Sequence, residues 1–285
     1  MIPRILVTGS NGQLGTCIKD LDYNKFDIKY VSSSDLDITN NQEVKNFFEY
    51  QKIDWCINCA AYTAVDKAES DYNSAFNVNV SGVKNLAEAC RAYSVKLIHV
   101  STDFVFDGEH NKPYKESDST NPIGVYGETK LKGEQEVSRV LKEYFILRTS
   151  WLYSEHCGNF MKTMLRLSKD KTQLGVVGDQ IGTPTYAKDL AKTIFHIIAN
   201  DISDYGIYHY SNNGVASWYD FAKAIFDISN IDIELNNIST VQFPTPAKRP
   251  HFSVLDKTKI ETTLKLKAPY WRDSLITAIQ NIKNE

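Results

Sequence analysis

Arg4-Ile5-Leu6-Val7-Thr8-Gly9-Ser10-Asn11-Gly12-Gln13-Leu14-Gly15 is the stretch on which the fold turns. Residues 4–8 read as a short buried strand, and a helix opens after the glycines and runs to about Leu21. Glycines between a strand and a helix let the backbone turn tightly and approach a pyrophosphate, whose charge the helix N-terminus meets. The loop Gly9, Ser10, Asn11, Gly12, Gln13, Leu14, Gly15 is therefore read as the cradle of a dinucleotide at the first strand–helix junction of a parallel sheet.

The rest of the chain is compatible with that start. At 285 residues there is room for one large α/β domain with an appendage, or for two modest domains sharing a cleft. Hydrophobic residues at 42% and charged residues at 24% are the proportions of an ordinary soluble protein. A net charge of −3, from 32 basic and 35 acidic residues with no long block of either sign, argues against nucleic acid as a main partner. No apolar run approaches the ~18 residues of a membrane span, so the expectation is a cytoplasmic protein without a membrane partner. The five cysteines read as reduced residues. Cys56 and Cys59 lie in one apolar strand, where an odd spacing sends them to opposite faces, so no metal ligands are assigned.

A second strand near 28–32 ends in Ser32-Ser33-Ser34, where an acidic residue would chelate ribose hydroxyls and repel a 2′-phosphate. Serines accept either nicotinamide cofactor, and no arginine nearby argues positively for the phosphate, so the lean to NADPH is slight, with NADH possible. Asp37 and Ile38 are placed to flank the adenine, and Asp37 equally suits a cap before a helix over 40–50. A third strand, 55–59, runs into Ala60, Ala61, Tyr62 and Thr63, which let a cofactor lie close to the strand end. A long helix is expected over 77–93. The strand over 96–100 delivers Ser101-Thr102-Asp103 to its carboxyl end, where open parallel sheets bind ligands. His99, inside that strand, reads as a packed core histidine.

Tyr126 and Lys130 share one face of a helix predicted over 123–140. A phenol beside an ammonium is an acid–base unit: the free phenol titrates near ~10, and a fixed positive charge draws that toward neutrality. Thr102 completes the group as a hydroxyl donor to the carbonyl that receives the proton. Farther on, a strand over 144–148 leads to Trp151, which suits either a core position or a cover over a sugar or base. Helices are expected over 159–168, 186–199 and 217–226, the last capped by Ser217, and strands over 174–177 and 206–210. The turn-rich loop 178–185 is expected to face the cleft. In the rigid connector 243–250, Arg249 is a candidate for a substrate phosphate or a plain surface charge.

Taken in order, these stretches resemble the extended short-chain dehydrogenase/reductase superfamily, and within it the dTDP-4-dehydrorhamnose reductases. The matching segments are Thr8-Gly9-x-x-Gly12-x-x-Gly15, the run from Asn58 to Glu69, Ser101-Thr102-Asp103-Phe104-Val105-Phe106-Asp107-Gly108, Tyr126-Gly127-Glu128-Thr129-Lys130, Arg148-Thr149-Ser150-Trp151, Gly178-Asp179-Gln180-x-Gly182-x-Pro184-Thr185 and Arg249-Pro250. The resemblance implies a Rossmann-like doubly wound parallel sheet, mostly residues 1–150, and a smaller substrate-binding lobe from 151–285 with some elements rejoining the main sheet. It implies reduction of the 4-keto group of a dTDP-linked 6-deoxyhexose by NAD(P)H. Tyr126 would give the proton, Lys130 would hold the nicotinamide ribose and polarise Tyr126, and Thr102 would orient the keto oxygen. Positions matching Thr102, Asp103 and Trp151 touch the sugar nucleotide in the family; those matching Ser10 to Gly12, Asp37-Ile38 and Ala61 to Thr63 touch the cofactor. Some members are dimers joined through a metal ion, and a homodimer is compatible here. One departure is Phe104, where the family usually has tyrosine. A sugar-nucleotide dehydratase would need a glutamate there. A reductase of another keto-deoxysugar, or a cofactor-binding regulatory subunit resembling the methionine adenosyltransferase β-subunit, are the remaining alternatives; retention of Thr102, Tyr126 and Lys130 together argues against the subunit.

Overall fold

A computed structural model of the chain describes residues 2–21 and 25–284. In chain order the elements are β1 Arg4–Thr8, α1 Gln13–Asp20, β2 Asp27–Val31, α2 Asn41–Tyr50, β3 Trp55–Asn58, α3 Val65–Ala68, α4 Tyr72–Phe76, α5 Val83–Ala92, β4 Lys96–Thr102, α6 Val125–Val140 and β5 Tyr144–Thr149. They continue with β6 Leu152–Tyr153, α7 Phe160–Leu167, β7 Gln173–Val177, β8 Ile181–Gly182, β9 Thr185–Tyr186, α8 Ala187–Ala199, β10 Gly206–His209, β11 Ala216–Ser217, α9 Trp218–Ser229, β12 Glu234–Ile238, α10 Thr258–Thr263 and α11 Trp271–Asn284. No helix among the described residues is long and apolar enough to cross a membrane.

Six strands form one parallel sheet in the order β10-β5-β4-β3-β1-β2. The chain therefore starts one strand in from an edge, adds β2 outside it and then crosses back to β3, so the strand order reverses there and leaves a crevice at the carboxyl ends of β1 and β3. The period-2 alternation of the strands divides two cores. Ile5, Val7, Ile57, Ile98, Phe145 and Leu147 face α1 and α8, whereas Leu6, Cys56, Leu97 and Ile146 face α2, α5 and α6. Cys56 lies on the second face and Cys59 borders the first, and all five cysteines are free thiols.

Two expected elements differ in detail. The long helix expected over 77–93 begins earlier, at Tyr72, and its stretch Asn77–Gly82 is wound as a π-helix between α4 and α5. Such turns displace one residue from the regular ladder, and here the displaced region carries Asn79 against the Tyr62 loop. The cap of α2 is Asn40, which accepts from Glu43 N at 3.2 Å, while Asp37 accepts from Thr39 and so closes the turn ahead of the helix.

Beyond β5 the chain builds a third core from α7, α9, α11 and the short strands, with Tyr153, Tyr186, Phe221, Trp271 and Leu275 buried inside it. Ser217 caps α9 in a reciprocal box with Asp220. From this half, α8 and β10 return to the main sheet, β10 pairing with β5 and α8 packing beside α1. Gln13, at the start of α1, ties the halves together: it donates to Leu152 O and accepts from Ser154 and Asn159.

Candidate active site

One cleft of about 870 Å³ lies over the carboxyl ends of the strands. Gly9, Asn11, Gly12, Gln13, Leu14, Gly15, Asp37, Ile38, Ala60, Ala61, Tyr62, Thr63, Thr102, Asp103, Tyr126, Lys130, Trp151 and Arg249 all line it. Ser10 is the exception among the residues expected there. It is buried, its N–H bonds Val31 O at 3.1 Å, and Gly15 packs on its backbone, so the turn folds it inward. The loop 178–185 is a second correction: none of its residues lines the cleft. Asp179 and Gln180 bond Thr240 instead, Thr183 bonds Gly214 O, and Gly182 lies directly beneath the Trp151 indole. Its turns are spent on supporting Trp151 from below.

The cofactor side is built from backbone. Gly9 has φ +64°, and a Cβ there would come within 2.6 Å of Ala60 N, so both the conformation and the close approach of β1 to β3 require glycine. Helix α1 is preceded by Gly12, which offers no side-chain cap, and has no acidic residue in its first turn, which leaves its N–H groups to a ligand anion. Below this floor Thr8, Asn58 and His99 form a buried chain, Thr8 Oγ1 donating to Asn58 Oδ1 at 2.7 Å and Asn58 Nδ2 meeting His99 Nδ1 at 3.0 Å. Burial holds the His99 imidazole well below its usual pKa, consistent with a neutral core histidine. The donor set fits a nicotinamide dinucleotide.

On the opposite wall, Tyr126 and Lys130 project from α6. The helix backs so closely onto the 3-10 turn Asp103–Val105 that a Cβ on Gly127 would meet Phe104 O at 2.1 Å. That contact places Tyr126 beside Thr102. Glu69 anchors the start of α6 by accepting from Val125 N at 2.9 Å. Lys130 Nζ uses one of its three donors on Val100 O at 2.7 Å, and the Thr102 hydroxyl donates to Asp103 Oδ1 at 3.0 Å.

Burial rather than the lysine dominates the phenol. Tyr126 is pushed up to about 12 by burial, with the Thr102 hydroxyl pulling back and Asp103 adding to the rise. This reverses the expectation that Lys130 draws the phenol toward neutrality: the ammonium is engaged on Val100 O of β4, and burial sets the direction for the phenol. Burial likewise pulls Lys130 down to about 8, opposed by Glu134, and pushes Asp103 up to about 6, opposed by the Ser253 and Thr102 hydroxyls.

The RmlD substrate binding domain family matches residues 3–284 of the chain. A dTDP-4-dehydrorhamnose reductase of Aggregatibacter actinomycetemcomitans is 43% identical over 285 residues, covering 95% of this chain and 97% of that protein. The chain belongs to the dTDP-4-dehydrorhamnose reductase family. Among solved structures, the reductase of Clostridium acetobutylicum superimposes with a TM-score of 0.95 at 43% identity, covering 98% of this chain and 99% of that one. The Bacillus anthracis reductase, solved in complex with NADP, gives 0.96 at 39% identity, covering 99% and 100%.

Three features of this reductase-family cleft were not apparent from motifs. Trp218, at the start of α9, lines the cleft and stacks on Trp151 with ring centroids 3.6 Å apart and planes within 8°. Of the two readings of Trp151, a cleft cover is the one its position fits, and its φ of +45° marks a strained turn of the kind found at functional sites. Asn79 holds the backbone of Tyr62 from both sides, at 2.9 and 3.1 Å, and bonds Thr129 on α6, so it spaces the two walls. Arg249 is neither an unengaged phosphate ligand nor a plain surface charge: its guanidinium is forked onto Asp66 at 2.8 and 2.9 Å and also bonds Thr245 and Ala247. Where the family usually has tyrosine, the Phe104 ring stands edge-on to Tyr126 at 5.6 Å. Apart from the cleft, Cys17, Glu155 and His156 bring ligand-type atoms within 4.8 Å of one another; burial pushes the Cys17 thiol up to about 12, which keeps its proton on.

Proposed function

We propose that the chain uses NADPH to reduce the 4-keto group of dTDP-4-dehydro-L-rhamnose to dTDP-L-rhamnose, in nucleotide-sugar supply for cell-surface polysaccharide synthesis in the cytoplasm. The observation that carries the reading is the convergence of Thr102, Tyr126 and Lys130 on one cleft whose other wall is a glycine-rich helix start. The bound dihydronicotinamide supplies a hydride to C4. Tyr126 gives its phenolic proton to the keto oxygen, so the carbonyl becomes a secondary alcohol as the phenol becomes phenolate. Thr102 orients that oxygen, and Lys130, kept protonated with help from Glu134, holds the ribose and offsets the phenolate charge. Residues before 150 hold the dinucleotide. Trp151 and Trp218 from the second lobe cover the sugar, with Asp103 on a sugar hydroxyl and Arg249, its charge shared with Asp66, on the diphosphate side. Phe104 has no basic group with which to remove a proton next to the ketone, which separates this site from that of a dehydratase.

The test is to incubate the protein with each of a small panel of dTDP-4-keto-6-deoxysugars and either reduced cofactor, and to identify the product epimer. Tyr126→Phe should lower kcat by roughly 100-fold or more, the usual worth of a positioned acid, with cofactor affinity retained. Undiminished NADPH oxidation by that variant would remove the catalytic role.

A further inference from the structure

No arginine follows β2, yet folding brings a cation to its end from another element. Lys19 stands in the last turn of α1, and a helical side chain leans back toward the helix N-terminus. Its Nζ accordingly lies 3.3 Å from Asn11 Oδ1 in the glycine loop and 5.4 Å from the centre of the Tyr30 ring on β2. It also helps lower the pKa of Asp35 just past β2. Asn11, Ser32 and Ser33 line the same end of the cleft. The ammonium is thus fixed between the loop that would cradle the pyrophosphate and the strand end that would meet the adenine ribose.

We propose that Lys19 is the residue that selects the phosphorylated cofactor, its ammonium receiving the 2′-phosphate of NADPH beside the Asn11 amide and the Ser33 hydroxyl. The proposal rests on reading the cleft as a nicotinamide-dinucleotide site. Asp35 is its counterweight. The Asp35 carboxylate accepts from Ser32 N at 2.8 Å and from Ser32 Oγ at 2.6 Å, and Ser32 Oγ also meets Ser34 Oγ at 2.7 Å. These bonds hold a negative charge near Lys19, where it opposes a second anion. A cation and an anion sharing one rim give a preference for NADPH that still admits NADH. The plainer role for Lys19, a helix-end charge lying over Tyr30, predicts no discrimination between the two cofactors.

Both side chains are exposed, so replacing them leaves the core intact. The experiment is a titration of the intact protein with NADPH and with NADH, read by cofactor fluorescence and needing no sugar. Lys19→Met should reduce the ratio of the NADH to the NADPH dissociation constant roughly tenfold, the worth of one charged contact. Asp35→Asn should raise the same ratio. A Lys19→Met ratio equal to that of the unaltered protein, whether both affinities hold or both fall together, overturns the selector role. Failure of the unaltered protein to bind either cofactor would instead sink the dinucleotide reading, and this assignment with it.

Discussion

At Lys130, stability and catalysis pull in opposite directions. The ammonium is almost wholly buried, and its pKa in the fold, about 8, lies below that of a free lysine. Between those two values the unfolded chain holds more protons than the native one, so this group's contribution to stability rises with pH through that window. Below it the full cost of burying the charge is carried. Lys130→Met should therefore raise the melting temperature at pH 7, with the advantage shrinking toward pH 10, while turnover is lost; thermal unfolding at both pH values checks this. Activity has the opposite sign: in the proposed reaction the ammonium is the working form, so kcat/KM should decline as pH rises through about 8. Thr102, Tyr126 and Lys130 are legible in the chain because one strand end and one helical turn set their spacing. Trp218 is not, since it reaches the cleft through the packing of a helix that carries no motif, and Lys19 is not, since it meets the glycine loop and Tyr30 from the far end of α1, outside the fingerprint.

Helix α6 is held to the sheet by charge as much as by apolar contact. Glu134, one turn beyond Lys130, accepts from Ser101 at the end of β4 and is forked by Arg148 of β5, with both side chains of the ion pair almost fully buried. The Arg148 guanidinium also approaches His209 of β10, whose imidazole is pulled down to about 3 by burial and by that neighbouring cation. Glu134→Ala leaves a buried guanidinium without its carboxylate and should cost about 3–5 kcal/mol in urea unfolding, as broken buried pairs do. Glu134→Gln, which keeps some of the bonds, should cost less and should also shift the alkaline limb of the pH–rate profile downward, because Glu134 supports the charge on Lys130. Among the elements, α11 carries its own signal, with Trp271, Leu275, Ala278 and Ile279 buried at helical spacing. Strand β12, Glu-Leu-Asn-Asn-Ile, has none. It is polar and mostly exposed, and it exists through its pairing with β7. The π-turn at Asn79 is invisible to periodicity because it keeps helical spacing on both sides.

Across the whole molecule, Asp66 and Arg249 join positions 183 residues apart at the rim of the cleft. Both are partly exposed, so the pair should contribute no more than about 1 kcal/mol to stability. Arg249 holds the Asp66 carboxyl below its ordinary range, so what the pair does contribute is present above the unfolded pKa and is lost as pH falls through the lowered one. Asp66→Asn should leave the melting temperature nearly unmoved yet, if Arg249 stands beside the substrate as proposed, raise KM for the sugar nucleotide more than it lowers kcat, since it frees the connector that carries Arg249. Steady-state kinetics with the substrate varied would show this, and an unchanged KM would make the fork a surface ornament. The parallel sheet is legible in the strand–helix alternation of the first 150 residues, whereas the return of β10 to it shows in the sequence only as a short strand-like run at 206–210.

That re-entry has a consequence for synthesis. Until Gly206–His209 has left the ribosome, the outer edge of β5 has no neighbour to bond, and the face over α1 lacks the apolar side of α8. A nascent chain halted near residue 150 would carry its nucleotide fingerprint complete and its sheet unfinished, with the open edge free to pair with another copy. The gene thus resists being cut into a cofactor half and a sugar half that are made separately, and fusions or permutations should spare the chain between β5 and β10.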